Sequence, residues 1–420
     1  MDSVRCPVRP VLLFLVSLVL LGTMPASGQV SLDSLVQRAL RQAPELPEME
    51  AAVKAAQARV TPAAALPDPA LELGGQAMGL PPGDNSTLTL ELSQELPFPG
   101  KRGARRAVAE AEVTAREAAR LQRMAEVVIA VRTHYADLYA IDRRGHVLAV
   151  ASQLIEAAIR TMSARLSAGQ VDQESVLRLE IQAARIRQQA AGLKAERTGA
   201  VAELNRLLGE APDHPFGEIT ALPSVVPPPP DSLRAGIEAS PELLMRQAEV
   251  LAARRRFEEA RLEGRPDFMV GAGGGMTAMP EPVVMLRLGM SLPIWKRSKQ
   301  DRLREAAGHD LQAAEAALEA ERARLSTDLA GLVAEWGGTQ ETLREFQTTI
   351  LPQSQSALDA ALAAYAAGRG EFALVVEDLN LLLEAGAESA QAEADRLSIW
   401  ARIEALGPRA TSAQGRGDTP

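Results

Sequence analysis

The sequence predicts an α+β membrane protein made of two tandem copies of one unit, each combining a long α-helical hairpin with two membrane-spanning β-strands. Three observations predict it. The chain repeats itself at about half its length, each copy carries a stretch of strict apolar and polar alternation, and each then enters a long run at helical spacing.

The repeat rests on four echoes in the same order. "DSLVQRALRQAPEL" (33–46) returns as "DSLRAGIEASPEL" (231–243), and "LPDPALELGG" (66–75) as "RPDFMVGAGG" (265–274). "LPFPGKR" (96–102) returns as "LPIWKR" (292–297), and "RLSAGQ" (165–170) as "AYAAGR" (364–369). All four keep an offset of about 197 residues, which marks two copies of one structural unit. The copies occupy 29–221 and 231–406. Between them the prolines of 222–230 fit neither a helix nor a central strand, so this stretch reads as an extended linker.

Taken in order, residues 1–28 read as a secretory signal peptide. Arg5 and Arg9 precede the apolar run 11–22, and Ala26 and Gly28 suit a cut before Gln29. The run is shorter than the ~20 residues that span a bilayer, which weighs against the alternative of an uncleaved anchor. Ser31 and Asp33 can cap a first helix that Pro44 interrupts and that continues to about Ala65. The first copy's clear strand is 86–96, where Leu88, Leu90 and Leu92 alternate with polar residues. The second copy's is 283–292, with Val284, Leu286, Leu288 and Met290 on one face. Their partners, 68–78 and 267–276, are glycine-rich, and turn residues fill 79–85 and 277–282. Long helices follow from Arg102 to Ala168 and from Lys296 to Ala367. In the first, Ala104, Ala107, Ala111, Ala115, Ala118, Leu121, Ala125 and Val128 step by threes and fours as a coiled-coil seam. Gly145 and Gly337–Gly338 are the expected sites of a bend or break, because interior glycine costs up to ~1 kcal/mol. Each long arm ends at Ala-Gly, and a shorter helix returns over 171–208 and 371–406. The tail 407–420 is polar and expected to be disordered.

Composition excludes several classes. Aromatic residues are only 3% of the 420, which suits closely packed alanine-rich helices better than a thick globular core. The net charge of −9 argues against nucleic acid as a partner. Cys6, the only cysteine, lies in the expected leader, so the mature chain would hold no thiol, disulfide or thiolate metal site. No His-centred triad or phosphate loop is evident, and "GAGGG" (271–275) sits in a strand, so no enzyme is expected. Of the four histidines only His309, four residues after Glu305, has ligand-like spacing, and it reads better as a surface pair.

Strands of about ten residues match the ~9–11 residues of a tilted membrane strand. Four cannot close a barrel, and an open edge in lipid leaves unpaired backbone, so other copies must supply the rest. Helices hanging below such a barrel would make a tube, and the two together a conduit. A soluble periplasmic coiled-coil scaffold is the alternative from a different class; it leaves the apolar strand faces without purpose.

The order of elements, the duplication, the opening "LDSLVQRALRQAPEL" and the tips "RLSAG" and "YAAG" resemble the TolC family of outer-membrane efflux factors, from about Ser31 to Leu406. "LPDP" followed by "LPFPGKR" is most similar to its heavy-metal and cation branch of Czc and Cus type. The resemblance implies a homotrimer in the outer membrane with a large periplasmic portion. Its twelve-stranded β-barrel would stand on a periplasmic α-helical barrel and use no cofactor. It implies docking to a periplasmic adaptor and an inner-membrane RND pump, with metal cations as cargo. Drug efflux or type I protein secretion are the alternatives within the family.

Carried over by position, the resemblance makes Arg165, Leu166, Ser167, Ala168, Gly169, Tyr365, Ala366, Ala367, Gly368 and Arg369 the adaptor-docking tips. The two glycines would equally serve plain helix reversal. In the family's type member two aspartates past the second tip ring the periplasmic aperture. Aligned on Gly368, the later falls on Glu377 and the earlier on Leu374. Glu371, Glu377 and Asp378 are the candidates here, with a solvated helix face as the alternative. Pro97, Pro99, Gly100 and Pro293 form the elbows where each strand gives way to a long helix, since proline donates no ladder hydrogen bond. Lys101 and Arg102 fall where the chain leaves the membrane. The branch often carries a lipidated cysteine at the mature N-terminus, where this chain has Gln29.

Overall fold

A computed structural model describes residues 31–76, 87–169, 171–277, 282–367 and 369–406. The expected leader 1–28, the tail 407–420 and nearly all of the two interstrand turns lie outside these residues. The first copy runs α1 (Leu32–Gln42), α2 (Glu45–Ala64), β1 (Ala70–Gln76), β2 (Thr87–Leu96), α3 (Lys101–Ser167) and α4 (Gln173–Leu207). The second runs α5 (Pro230–Gly236), α6 (Pro241–Glu263), β3 (Phe268–Thr277), β4 (Pro282–Met290), α7 (Gln300–Glu345), α8 (Leu351–Ala366) and α9 (Phe372–Leu406). Ser31 caps α1 by accepting from the Ser34 amide. Ser240 caps α6 in the same way, with Pro241 at its first position.

The four strands form one antiparallel sheet in the order β1-β2-β3-β4. Its register puts Leu71, Leu73, Leu88, Leu90, Leu92, Val284, Leu286 and Leu288 on one face, all of them exposed. Exposed leucine on this scale is unfavourable in water and suits lipid. The other face carries Glu72, Glu91, Glu95 and Arg287. Arg287 on β4 reaches across β3 to Glu91 on β2 at 2.9 Å. Glycines on β3 make the crossing possible. A Cβ on Gly271 would stand 2.8 Å from Glu91 Oε1, and one on Gly273 2.6 Å from the Leu90 carbonyl.

The helices are the expected hairpins. At 1.5 Å per residue the 67 residues of α3 extend about 100 Å. The matching arm covers 300–366, the same length, but it is interrupted. Phe346–Ile350 form a π-helical turn in which the Leu351 amide donates to the Phe346 carbonyl. Pro352 accounts for it: it has no amide to give Thr348, and its ring would crowd that carbonyl, so the turn widens by one residue. No break falls at Gly145 or Gly337–Gly338, since α3 and α7 continue through them. Packing outweighs the glycine cost at Gly145, whose absent Cβ would stand 3.6 Å from Leu193. The second arm also starts later than expected, at Gln300, because turns occupy 294–299.

Three apolar clusters hold the arms together. At mid-height α1, α3, α4 and α9 meet around Leu35, Val131, Leu138 and Leu204. The second copy's counterpart joins α5, α6, α7 and α9 around Leu233, Leu243, Leu325 and Ile403. Near the tips α3, α4, α8 and α9 share Ile155, Met162, Leu179, Leu358 and Leu379. On α3, Ala111, Ala118 and Ala125 are buried at intervals of seven, as a coiled-coil seam requires, whereas Leu121 is exposed. Polar ties bind the mid-height cluster: Tyr139 donates to Glu393, and Arg132 pairs with Glu404 while stacking on Trp400. Burial and that hydrogen bond push the Tyr139 hydroxyl up to about 12, so it remains a donor at any physiological pH. The segment leading into the linker is pinned as well. Buried Asp142 accepts from Arg197 at 2.6 Å and from the Ile219 amide at 2.8 Å.

Candidate functional site

The residues singled out lie at two ends of the molecule. At the far end of the hairpins α3 closes on Gly169, whose φ of +68° is the left-handed geometry that ends a helix before a reversal. Its amide donates to the Leu166 carbonyl. In the second tip the Arg369 amide reaches the Ala364 carbonyl at 3.0 Å. Gly368 and the side chain of Ala366 lie outside the described residues. Gly370 makes the close approach, since a Cβ there would stand 3.0 Å from the Tyr365 amide nitrogen. Nothing in the family pattern points to it.

The structure brings the two tips together. The Arg165 guanidinium sits 5.3 Å from the centre of the Tyr365 ring, which meets Phe372 edge-on at 5.2 Å. The Tyr365 hydroxyl contacts Met162 Sδ, and Leu166 packs on the tip cluster. Arg165, Leu166 and Tyr365 are thus engaged within the chain, while Ser167, Ala168, Gly169, Ala367 and Arg369 remain exposed. Sequence spacing could not separate these groups, because the contacts join residues some 200 positions apart.

Between the tips opens a cleft of about 1110 Å³. Glu371 and Glu377 line it, joined by Asp172, Glu174 and Glu384, with Arg178 as the one basic side chain among the described residues. Arg178 is taken by Glu174 at 3.0 Å; Asp172, Glu371, Glu377 and Glu384 have no ion-pair partner among the described residues. Asp378 does not line this cleft, because one position on a helix turns it about 100° from Glu377. Gln182 and Asn380, bonded at 2.8 Å, tie α4 to α9 beside it.

At the other end lie the elbows. β2 stops at Leu96; Pro97 and Pro99 follow, and Gly100 adopts φ +100° before α3 begins. Lys101, the first residue of α3, turns inward rather than to solvent. Its side chain is 2% exposed, 2.8 Å from Asp267 Oδ2 and 3.7 Å from Glu263. Asp267 also accepts from the Phe98 amide at 2.7 Å. Burial raises the Asp267 carboxyl, but the Lys101 and Phe98 hydrogen bonds outweigh it and hold it below its ordinary value. Arg102 donates to the Ala64 carbonyl at the end of α2. The "PD" and "KR" motifs were visible in the sequence, but not that they meet across the copies. In the second elbow Pro293 begins the turns, and Ile294 and Trp295 stand exposed beyond the lipid-facing strands, as residues at a membrane interface do. Glu305 pairs with Arg302 at 2.6 Å and His309 with Gln312, so the expected surface pair of these two with each other is not formed.

The model of the family described as "Outer membrane efflux protein" matches residues 35–210 and 234–407. Among solved structures, VceC from Vibrio cholerae, an outer membrane protein, is 20% identical, covers 90% of this chain and 96% of its own, and superposes with a TM-score of 0.76. CusC, solved in forms that follow folding and transmembrane channel formation, is 17% identical over 90% and 92%, with a TM-score of 0.76. The CmeC outer membrane channel of Campylobacter jejuni is 13% identical over 90% and 85%, also at 0.76. No curated protein matches the chain in sequence.

Proposed function

Because the chain belongs to the outer membrane efflux protein family, we propose that three copies join as one duct through which metal cations leave the periplasm. The outer membrane channel fold is common ground; the cargo is the further step. Four strands per chain would give a twelve-stranded barrel, and the hairpins a tube below it. A passive duct needs no catalytic group, only a continuous lumen and a place to receive cargo.

The observation that carries the cation reading is the cleft at the tips, where four carboxylates stand without a cation partner among the described residues. Clustered like charge in a confined space raises the local concentration of cations and repels anions. Glu371 and Glu377 would form the aperture, and Asp378 would lie outside it. The exposed tip residues Ser167, Ala168, Gly169, Ala367 and Arg369 would meet the periplasmic adaptor, through which an inner-membrane RND pump delivers cargo.

Planar bilayers test the reading. Glu371→Gln with Glu377→Gln should lower the preference for cations over anions while single channels still open. An unchanged preference removes the aperture. In cells, deleting the protein should raise periplasmic metal and metal sensitivity. A strain that gains only drug sensitivity, or loses only a secreted protein, points to the other branches.

A further inference from the structure

The duplication specifies a contact that no single copy can make. Within β1–β2, Ala70 faces Ser93, and the corresponding residues of the second copy, Met269 and Gly289, face each other in β3–β4. Strand register and sequence correspondence therefore agree, with Asp68 matching Asp267 and Leu96 matching Leu292. Between the copies β2 pairs with β3, Leu92 opposite Ala272, and that junction is locked by Lys101 on Asp267. The outer edges of β4 and β1 have no such neighbour in the sheet. Their junction residues, Lys296 and Asp68, are both exposed and have no ion-pair partner among the described residues. They lie at opposite edges of the sheet, so they cannot meet within one copy.

A barrel closed by copies of the chain already requires β4 to pair with β1 of the partner subunit; we propose that this seam repeats the β2–β3 junction residue by residue, with Leu288 opposite Leu73 of the partner subunit and Lys296 closing on Asp68 of the partner subunit. The correspondence fixes the register, since Leu92 carries to Leu288 and Ala272 carries back to Leu73. It places apolar side chains of both strands on the lipid face, whereas a slip by one residue would turn one strand's apolar set inward. Charge complementarity fixes the occupant as a second copy of this chain, because each copy presents the cation at one edge and the carboxylate at the other. Pairing also removes the open edges that lipid does not tolerate. The proposal rests on the barrel being closed by copies of the chain.

Disulfide cross-linking in a Cys6→Ser background tests it. Leu288→Cys with Leu73→Cys should yield cross-linked oligomers on oxidation, and Leu286→Cys with Leu73→Cys, two residues out of register, should yield few. The reverse result, or no product from either pair while unoxidised trimers persist on gels, overturns the seam. Absence of any oligomer from the unmodified protein overturns the copy-closed barrel itself, a separate outcome. As a second measurement, Lys296→Glu or Asp68→Lys alone should lower the temperature at which oligomers dissociate. Combining them should recover at least half of that loss, and a double variant no better than the sum of the single losses removes the ion pair.

Discussion

The Lys101 ammonium lies 2.8 Å from Asp267 with almost none of its side chain in water, so removing the carboxylate leaves a buried charge with only Glu263, 3.7 Å away, beside it. Asp267→Asn should destabilise the fold by about 3–5 kcal/mol, read as a lower midpoint in urea. The carboxyl is held below its unfolded value of 3.8, so its contribution is complete above that pH and is lost as pH falls through the folded value. Wild type should accordingly lose stability below about pH 4 more steeply than the Asn variant, and parallel acid titrations would deny Asp267 that part. Glycines give a second pair of outcomes. Gly169 and Gly209 share φ +68°, but a Cβ on Gly169 meets nothing, whereas one on Gly209 would stand 2.7 Å from the Gln42 carbonyl. Gly169→Ala should cost about 1–2 kcal/mol of backbone strain, and Gly209→Ala clearly more, because backbone has to move. Equal losses in denaturation would mean that the clash is relieved for free.

At the scale of elements, the two long arms have equal length and different construction. Pro352→Ala restores an amide that can donate to Thr348. The π-turn should then revert to α-helix, rotating α8 by about 100° relative to α7. Spin-label distances between the second tip and α4 would report the rotation, and unchanged distances would show that packing around Phe346, not the proline, holds the turn. This joint was legible in "TILPQSQ" but is easily passed over, because proline one residue into a new helical segment looks like ordinary initiation. The glycines drew attention instead, since intrinsic propensity marks them as weak, yet in a packed bundle their cost is small beside the burial around them. Alternation in 86–96 and 283–292 announced the strands, because period two survives on a sheet with one apolar face. The tip contact between Arg165 and Tyr365 left no such trace: it joins two copies, and pattern within either is silent about it.

Across the whole molecule the duplication governs what a sequence reader can see. Element order, arm lengths and strand register repeat, and hydrophobic spacing encodes each of them locally. What escaped are the places where the copies touch: Lys101 on Asp267, Arg287 across to Glu91, and the acidic cleft between the tips. Each needs both copies placed before the partners can be named. Where the copies differ, the difference is mechanical. One arm is a continuous helix; the other carries its π-helical turn about a quarter of the way from its tip, where the regular hydrogen-bond ladder is interrupted. In the proposed ring of three copies such arms would alternate stiff rods with jointed ones, so its compliance would be concentrated in every second position. Were the proposed tube pulled outward, the jointed arms would yield first, and the mouth would widen as a triangle does, from three corners, while the stiff arms kept the wall.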